Sequence, residues 1–255
     1  MIYVDLWLLV FLVLAGFVAS FIDSAVGGGG LIMVPAFMLT GLEPVAVLGT
    51  NKLAAVMGAF AGAVTFWRSG KTDPKILCYL FPTAFIGSVF GVYTVHLISS
   101  EFLRPLVVAM LVIVTLYSVS RKNWGARASY TGPDDKKVFL MVAVVFALGF
   151  YDGFFGPGTG SFLLFFFLCL GFDFVCAAAN ARVLNFASNI AAAVSFAFLG
   201  FTNYFYALPV GAAMILGALA GAHMAINKGA AYVHPLFVLI TALLIGRQAW
   251  EIWGK

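Results

Sequence analysis

Four ionisable residues stand in stretches too apolar to hold a free charge: Asp23, Lys52, Asp152 and Arg182. They form two sets, each with an acid before a glycine-rich run and a base after it. The first run is AVGGGGLIMVP, Ala25 to Pro35, and the second is FFGPGTGSF, Phe154 to Phe162. A charge at the centre of a bilayer costs about 3 kcal/mol or more unless paired or hydrated, so each of the four is a functional candidate. Lys52 and Arg182 suit an anion in a central cavity. Arginine offers a planar fork for an oxyanion and lysine a point charge. Asp23 and Asp152 would orient those bases or carry a coupling proton. A competing reading makes the four two internal ion pairs that only join the two halves. Snorkelling of Lys52 and Arg182 to a membrane face is a third.

The glycine runs say where an anion would meet backbone. Glycine costs up to about 1 kcal/mol relative to alanine inside a helix. Runs of it therefore break the helix at the same place in both sets. A broken helix exposes N–H groups that lipid cannot satisfy, tolerable only where they line a cavity. The new helix N-terminus carries about half a positive charge and presents N–H donors. Gly28, Gly29 and Gly30, and Gly158, Thr159 and Gly160, are the candidate anion contacts. Gly87 with Gly91 and Gly217 with Gly221 have the small-xxx-small spacing of helix packing instead. Neither run ends in the Gly-Lys-Ser/Thr of a phosphate loop, and GPGTG lacks the strand and acidic residue of a dinucleotide fingerprint.

Polar side chains gather near the bases: Thr50 and Asn51 in GTNK, and Asn180, Asn185, Ser188 and Asn189 in NARVLNFASN. Asn185 and Asn189 are four apart and Arg182 lies three before Asn185, so the three share a helical face. Such a face suits a wet cavity better than lipid. Ser24, Thr159 and Ser161 would add hydroxyls. Replacing Arg182 with alanine is then expected to weaken substrate binding more than folding. Cys78, Cys169 and Cys176 have no metal-motif spacing and read as core packing. Three scattered histidines cannot make two bis-histidine haem sites, which counts against a redox subunit, and no nucleophile–base arrangement supports an enzyme. No metal or cofactor is expected.

Membrane helices must position these groups. The 255 residues are 63% apolar and 9% charged, with a mean hydropathy of +1.06; a soluble domain carries about 25% charged residues. The expected class is an all-α polytopic membrane protein with the lipid bilayer as its partner. About 20 apolar residues cross a bilayer. Eight stretches qualify, at about 5–25, 45–67, 76–98, 104–120, 138–155, 175–199, 205–226 and 234–253. The segments at about 28–40 and 157–170 are short and glycine-led, like half-helices. The first stretch lacks a basic region and a cleavage pattern and reads as a retained helix.

The chain also repeats itself. At an offset of 130, AGAVTF (Ala61–Phe66) lies on AAAVSF (Ala191–Phe196), Lys52 on Arg182 and Gly30 on Gly160. Just before the glycines the offset falls to 129, placing FID (Phe21–Asp23) on FYD (Phe150–Asp152). This gives a first four-helix repeat over 1–122, a linker over 123–137 and a second repeat over 138–255. Interrupted segments at corresponding positions of two repeats point to a transporter's binding site.

The basic residues argue against nucleic acid. Arg68, Lys71 and Lys75 fill one gap between apolar stretches; Arg121, Lys122, Arg127, Lys136 and Lys137 fill another. That is the pattern of cytoplasmic loops. With eight crossings both termini are cytoplasmic, and the opposite loops keep Arg104 and Lys228. If the short segments crossed as well, each repeat would have five passages and the two halves would be inverted.

GGGGLIMVP, GTNK, GFYDGFFGPGTGSF and NARVLNFASN, in a duplicated four-span frame, resemble the TauE/SafE sulfite exporter family of bacterial permeases. The likeness covers nearly the whole chain. It implies proton-coupled secondary transport of small sulfur-containing anions, such as sulfite or organosulfonates, across the bacterial inner membrane. Pro157 and Thr159 depart from a more uniformly glycine-rich second motif. Two alternatives stand beside it: an anion channel, and a non-transporting membrane scaffold or assembly factor. The oligomeric state, a homo-oligomer included, is left open by the sequence.

Overall fold

The computed structural model describes residues 6–95 and 135–229, with Ser129, Tyr130, Gly132, Tyr232, Pro235 and Leu239. Its elements are all helices: α1 (Leu6–Val26), α2 (Gly29–Met38), α3 (Pro44–Arg68), α4 (Pro74–Thr94), α5 (Asp135–Phe154), α6 (Thr159–Cys169), α7 (Phe174–Phe198) and α8 (Tyr204–Lys228). Six are long and apolar enough to span a membrane, and α2 and α6 are short. They match six of the eight expected spans and both half-helices. The stretches at 104–120 and 234–253 lie outside the described residues.

Local chemistry sets the boundaries. Pro44 and Pro74 open α3 and α4 where a missing N–H costs nothing. The Asp173 carboxylate accepts the N–H groups of Val175 and Cys176, each at 2.9 Å, to cap α7. The chain breaks before α2 and α6 because Gly28 and Gly158 take φ of 93° and 90°, a left-handed conformation that costs other residues about 1–2 kcal/mol. Three starts recur at the sequence offset: Gly29, Pro44 and Pro74 stand 130 residues before Thr159, Phe174 and Tyr204.

Apolar side chains point outward as well as inward. Trp7, Phe11 and Leu14 on α1 and Phe139 and Leu140 on α5 are exposed, as lipid-facing residues are. The most buried long helix is α7. It carries Asn180, Arg182, Asn185, Ser188 and Asn189, and polar groups in a membrane protein belong inside the bundle. Cys78 and Cys169 are exposed and Cys176 is half-buried, so the first two do not pack in the core as expected.

Glycine contacts fix the helix directions. A Cβ on Gly217 or Gly221 of α8 would strike the backbone at Phe17 and Phe21 of α1. Gly87 and Gly91 of α4 meet Phe146 and Phe150 of α5 in the same way. Both pairs of helices therefore run parallel, backbone against backbone, as their spacing predicted. Gly58 and Gly62 of α3 face Ser20 and Ser24 of α1, so α3 runs parallel to α1. Asn180 meets Asp73, and Ser188 meets Ser88, so α7 runs parallel to α4. Thus α1, α3 and α8 point one way and α4, α5 and α7 the other. The first four helices are inverted relative to the second four.

This outcome follows from the half-helices. Because α1 and α3 share a direction, α2 and its flanking loops carry the chain back between them, and α6 does the same between α5 and α7. Apart from Lys52 and Arg182, the described lysines and arginines then fall at one end of the bundle: Arg68, Lys71, Lys75, Lys136, Lys137 and Lys228. Two sequence expectations change. Lys228 joins the basic end instead of the opposite one, because α8 runs with α3. Leu6 lies at the end opposite Arg68, so α1 does not begin on the side of the basic loops.

Candidate functional site

The two breaks touch at the centre of the bundle. Gly27, at φ 79°, sits on the backbone of Gly160 and Ser161, where a Cβ would come within 3.0 Å. The Ser161 hydroxyl donates to the Val26 carbonyl at 2.9 Å. The glycine run serves several ends at once. Gly27 and Gly28 turn the chain, a Cβ on Gly29 would come within 3.0 Å of the Asp23 side chain, and Gly30 faces Pro157.

The four charges pair crosswise between the halves. Lys52 Nζ is 2.8 Å from Asp152 Oδ1, and both side chains are buried. Arg182 Nη1 pairs with Asp23 Oδ2. Asp23 Oδ1 accepts the Gly29 N–H at 2.9 Å and so caps α2. The two pairs differ in completeness. Asp23 has a partner on each oxygen. Among the described residues, Asp152 Oδ2 has no hydrogen-bond partner, nor has Asn51 Oδ1.

A cavity of about 30 Å³ lies between the breaks and the pairs. Twelve of the thirteen expected site residues line it: Asp23, Gly28, Gly29, Gly30, Asn51, Lys52, Asp152, Gly158, Thr159, Gly160, Asn185 and Asn189. Arg182 lines a smaller adjoining cavity of about 10 Å³, which shares Asp23, Gly160 and Asn185. Asn185 and Asn189 do share a face, and the Asn189 amide donates to the Asn185 carbonyl at 2.7 Å.

Sequence reasoning missed Gly156, Ala55 and Met214 in the lining. Gly156 stood in the broken motif and its φ of 90° was legible there. Met214 comes from α8 and left no local signal. Two polar candidates do other work. Thr50 Oγ1 accepts the Asn203 N–H at 3.0 Å, and Asn180 Oδ1 accepts the Asp73 N–H at 2.8 Å. Each ties α3 or α7 to the first turn of a helix in the other half.

Arg182 lies apart from the other twelve. It is buried against the partly exposed Asp23 and lines only the smaller cavity, so its loss leaves that carboxylate without its charge partner. The base that lines the main cavity is Lys52, paired there with Asp152.

Comparison with known proteins decides the family. The family model described as "Sulfite exporter TauE/SafE" matches residues 12–247. The chain belongs to the TauE/SafE family. Curated relatives agree. A "Probable membrane transporter protein" of Haemophilus influenzae is 34% identical over 250 residues, 96% of this chain and 95% of the relative. "Probable membrane transporter protein ORF9" of a Sinorhizobium species is 35% identical over 93% of this chain and 90% of its own length. "Probable membrane transporter protein YfcA" of Escherichia coli K12 is 32% identical over 93% and 88%. No solved structure matches. The resemblance carried by the broken motifs is thus borne out, and this TauE/SafE chain is a multi-pass helical membrane protein of a transporter family.

Proposed function

We propose that the protein is a secondary transporter that moves small sulfur-containing anions, such as sulfite or organosulfonates, across the bacterial inner membrane with protons. The observation that carries this reading is the central cavity. Two helix N-termini and the Lys52 ammonium converge there, between halves of opposite direction. N-termini and a cation favour an anion. Inverted halves around a midplane site are the architecture in which one half rocks against the other. A water needs about 10–15 Å³ of such volume, so 30 Å³ admits a water or two. A sulfonate enters when the two breaks part from α3 and α7. The sulfur chemistry rests on the family description, and the backbone supplies only the preference for an anion.

Thermal stability of the purified protein against sulfite, thiosulfate, sulfate, methanesulfonate, sulfoacetate, taurine, nitrate and chloride tests this. Ligand at about 100 times its dissociation constant adds about 2.7 kcal/mol. A shift selective for sulfur oxyanions or sulfonates supports the reading. No shift with any anion overturns it and favours a scaffold. An anion channel would instead give flux that neither saturates nor responds to a proton gradient.

The basic end is proposed to face the cytoplasm, since cytoplasmic loops gather Lys and Arg. With Cys78, Cys169 and Cys176 replaced by serine, Glu43→Cys in the α2–α3 loop should label from outside intact cells with an impermeant thiol reagent. Thr72→Cys in the α3–α4 loop should label only after lysis. The reverse pattern overturns the orientation.

A further inference from the structure

We infer that Asp152 carries the coupling proton on Oδ2, and that its arrival releases Lys52 to hold the anion while Asp23 and Arg182 stay paired. This rests on the transporter reading above and assigns unequal roles to two ion pairs that the sequence presents as equivalent.

Charge balance comes first. With all four groups ionised, Asp23, Lys52, Asp152 and Arg182 sum to zero. An anion added alone would leave one uncompensated negative charge in a buried site, a costly state. An anion arriving with one proton leaves the sum at zero. Lys52 and Arg182 already hold their protons, so a carboxylate must take the new one.

Geometry then separates the two carboxylates. Asp23 has Arg182 on Oδ2 and the Gly29 N–H on Oδ1. A proton on either oxygen would displace a charge-assisted bond, and on Oδ1 it would also uncap α2. Asp152 is 1% exposed. Its Oδ1 meets Lys52, while its Oδ2 is the buried oxygen without a partner among the described residues. A proton can join Oδ2 without displacing a donor from that oxygen.

The step is a simple protonation. A proton from the aqueous phase forms an O–H bond at Oδ2, the carboxylate becomes a neutral acid, and Lys52 keeps its three N–H bonds and its charge. With its partner neutral, the lysine is the one uncompensated charge in the cavity. Its flexible stem lets the ammonium turn toward the glycine N-termini, whereas the guanidinium of Arg182 stays protonated and fixed in its fork.

Few other groups compete for the proton. In the cavity that Asp152 lines, α3 brings Lys52 and α1 brings Asp23, while Arg182 of α7 lines only the adjoining one. Tyr151 on α5 itself donates its hydroxyl to the Pro157 carbonyl at 2.6 Å. The stretches of α6 and α8 that line the cavity supply Thr159, Gly160 and Met214, and α4 lines none of it. None of these residues titrates.

Proton and anion then tighten each other's binding by the same factor. Anion affinity rises as pH falls, by up to about tenfold per pH unit for one linked proton. The test uses the purified full chain and methanesulfonate, a monoanion with no titration of its own near neutral pH. Calorimetry in two buffers of different ionisation enthalpy should count about one proton taken up per anion. Asp152→Asn, which imitates the protonated acid, should take up none. Above neutral pH it should bind about tenfold or more tighter than the natural protein, a gain that a merely structural residue would not give. Asp23→Asn combined with Arg182→Gln, which removes the other pair without leaving a lone charge, should keep the pH dependence.

Uptake of no proton by the natural protein overturns the inference even if Asp152→Asn fails to fold. So does proton uptake that persists in Asp152→Asn. Binding of methanesulfonate without pH dependence leaves the transporter reading standing and removes only this assignment. Absence of binding by every anion in the panel removes both.

Discussion

Arg182→Ala should lower both the yield and the melting temperature of the folded protein. Arg182 is 3% exposed and joins α7 to α1 through Asp23, 159 residues away. Asp23 is 17% exposed, so removing the guanidinium leaves a partly hydrated carboxylate unpaired, at the low end of the buried-pair cost, about 3 kcal/mol. Whole domains are stable by only about 5–15 kcal/mol. At roughly 2–4 °C per kcal/mol for a chain of this size, the melting temperature should fall by about 6–12 °C. Asp23→Asn combined with Arg182→Gln should recover most of that loss. The uncharged pair leaves no orphan ion, and the asparagine carbonyl can still accept the Gly29 N–H. Gel filtration of detergent extracts and a thermal melt check both variants. Arg182→Ala at natural yield and melting temperature would show that the pair does not hold the halves together.

The second large effect belongs to Gly27. Alanine there must adopt φ 79° and place its Cβ within 3.0 Å of the Gly160 and Ser161 backbone. The left-handed conformation costs about 1–2 kcal/mol, and overlap with well-packed atoms about 1–3 more. Backbone cannot swing aside as a side chain can, so relief means parting the two breaks. Gly70 supplies the control. Its φ is 69° and a Cβ there would meet nothing within 4 Å. Gly70→Ala should lose about 1–2 kcal/mol and keep its transport. Gly27→Ala should lose more stability and, where protein survives, its anion binding. Equal melting temperatures for the two variants would show that the breaks are not in close contact.

Sequence alone settled what depends on neighbours along the chain. Six described spans fall where the apolar stretches lie, because about 20 predominantly apolar residues have no other stable place. The breaks fall at the glycines because only glycine turns left-handed at Gly28 and Gly158 without cost. The members of the central site were legible too, because a charged or amide side chain in an apolar span has nowhere to go but inward.

Tertiary structure decided the rest, and the reasons are geometric. Hydropathy cannot say whether a 10-residue helix such as α2 turns the chain back, yet that one fact inverts the halves and moves Lys228 to the basic end. Composition made Asp23 and Asp152 equivalent. Only the fold put two partners on one carboxylate and one on the other, because α2 begins at Gly29 within reach of Asp23. Which base meets which acid, 100 or 159 residues away along the chain, depends on how α1, α3, α5 and α7 cross at the centre. Periodicity within a single helix carries no record of that crossing.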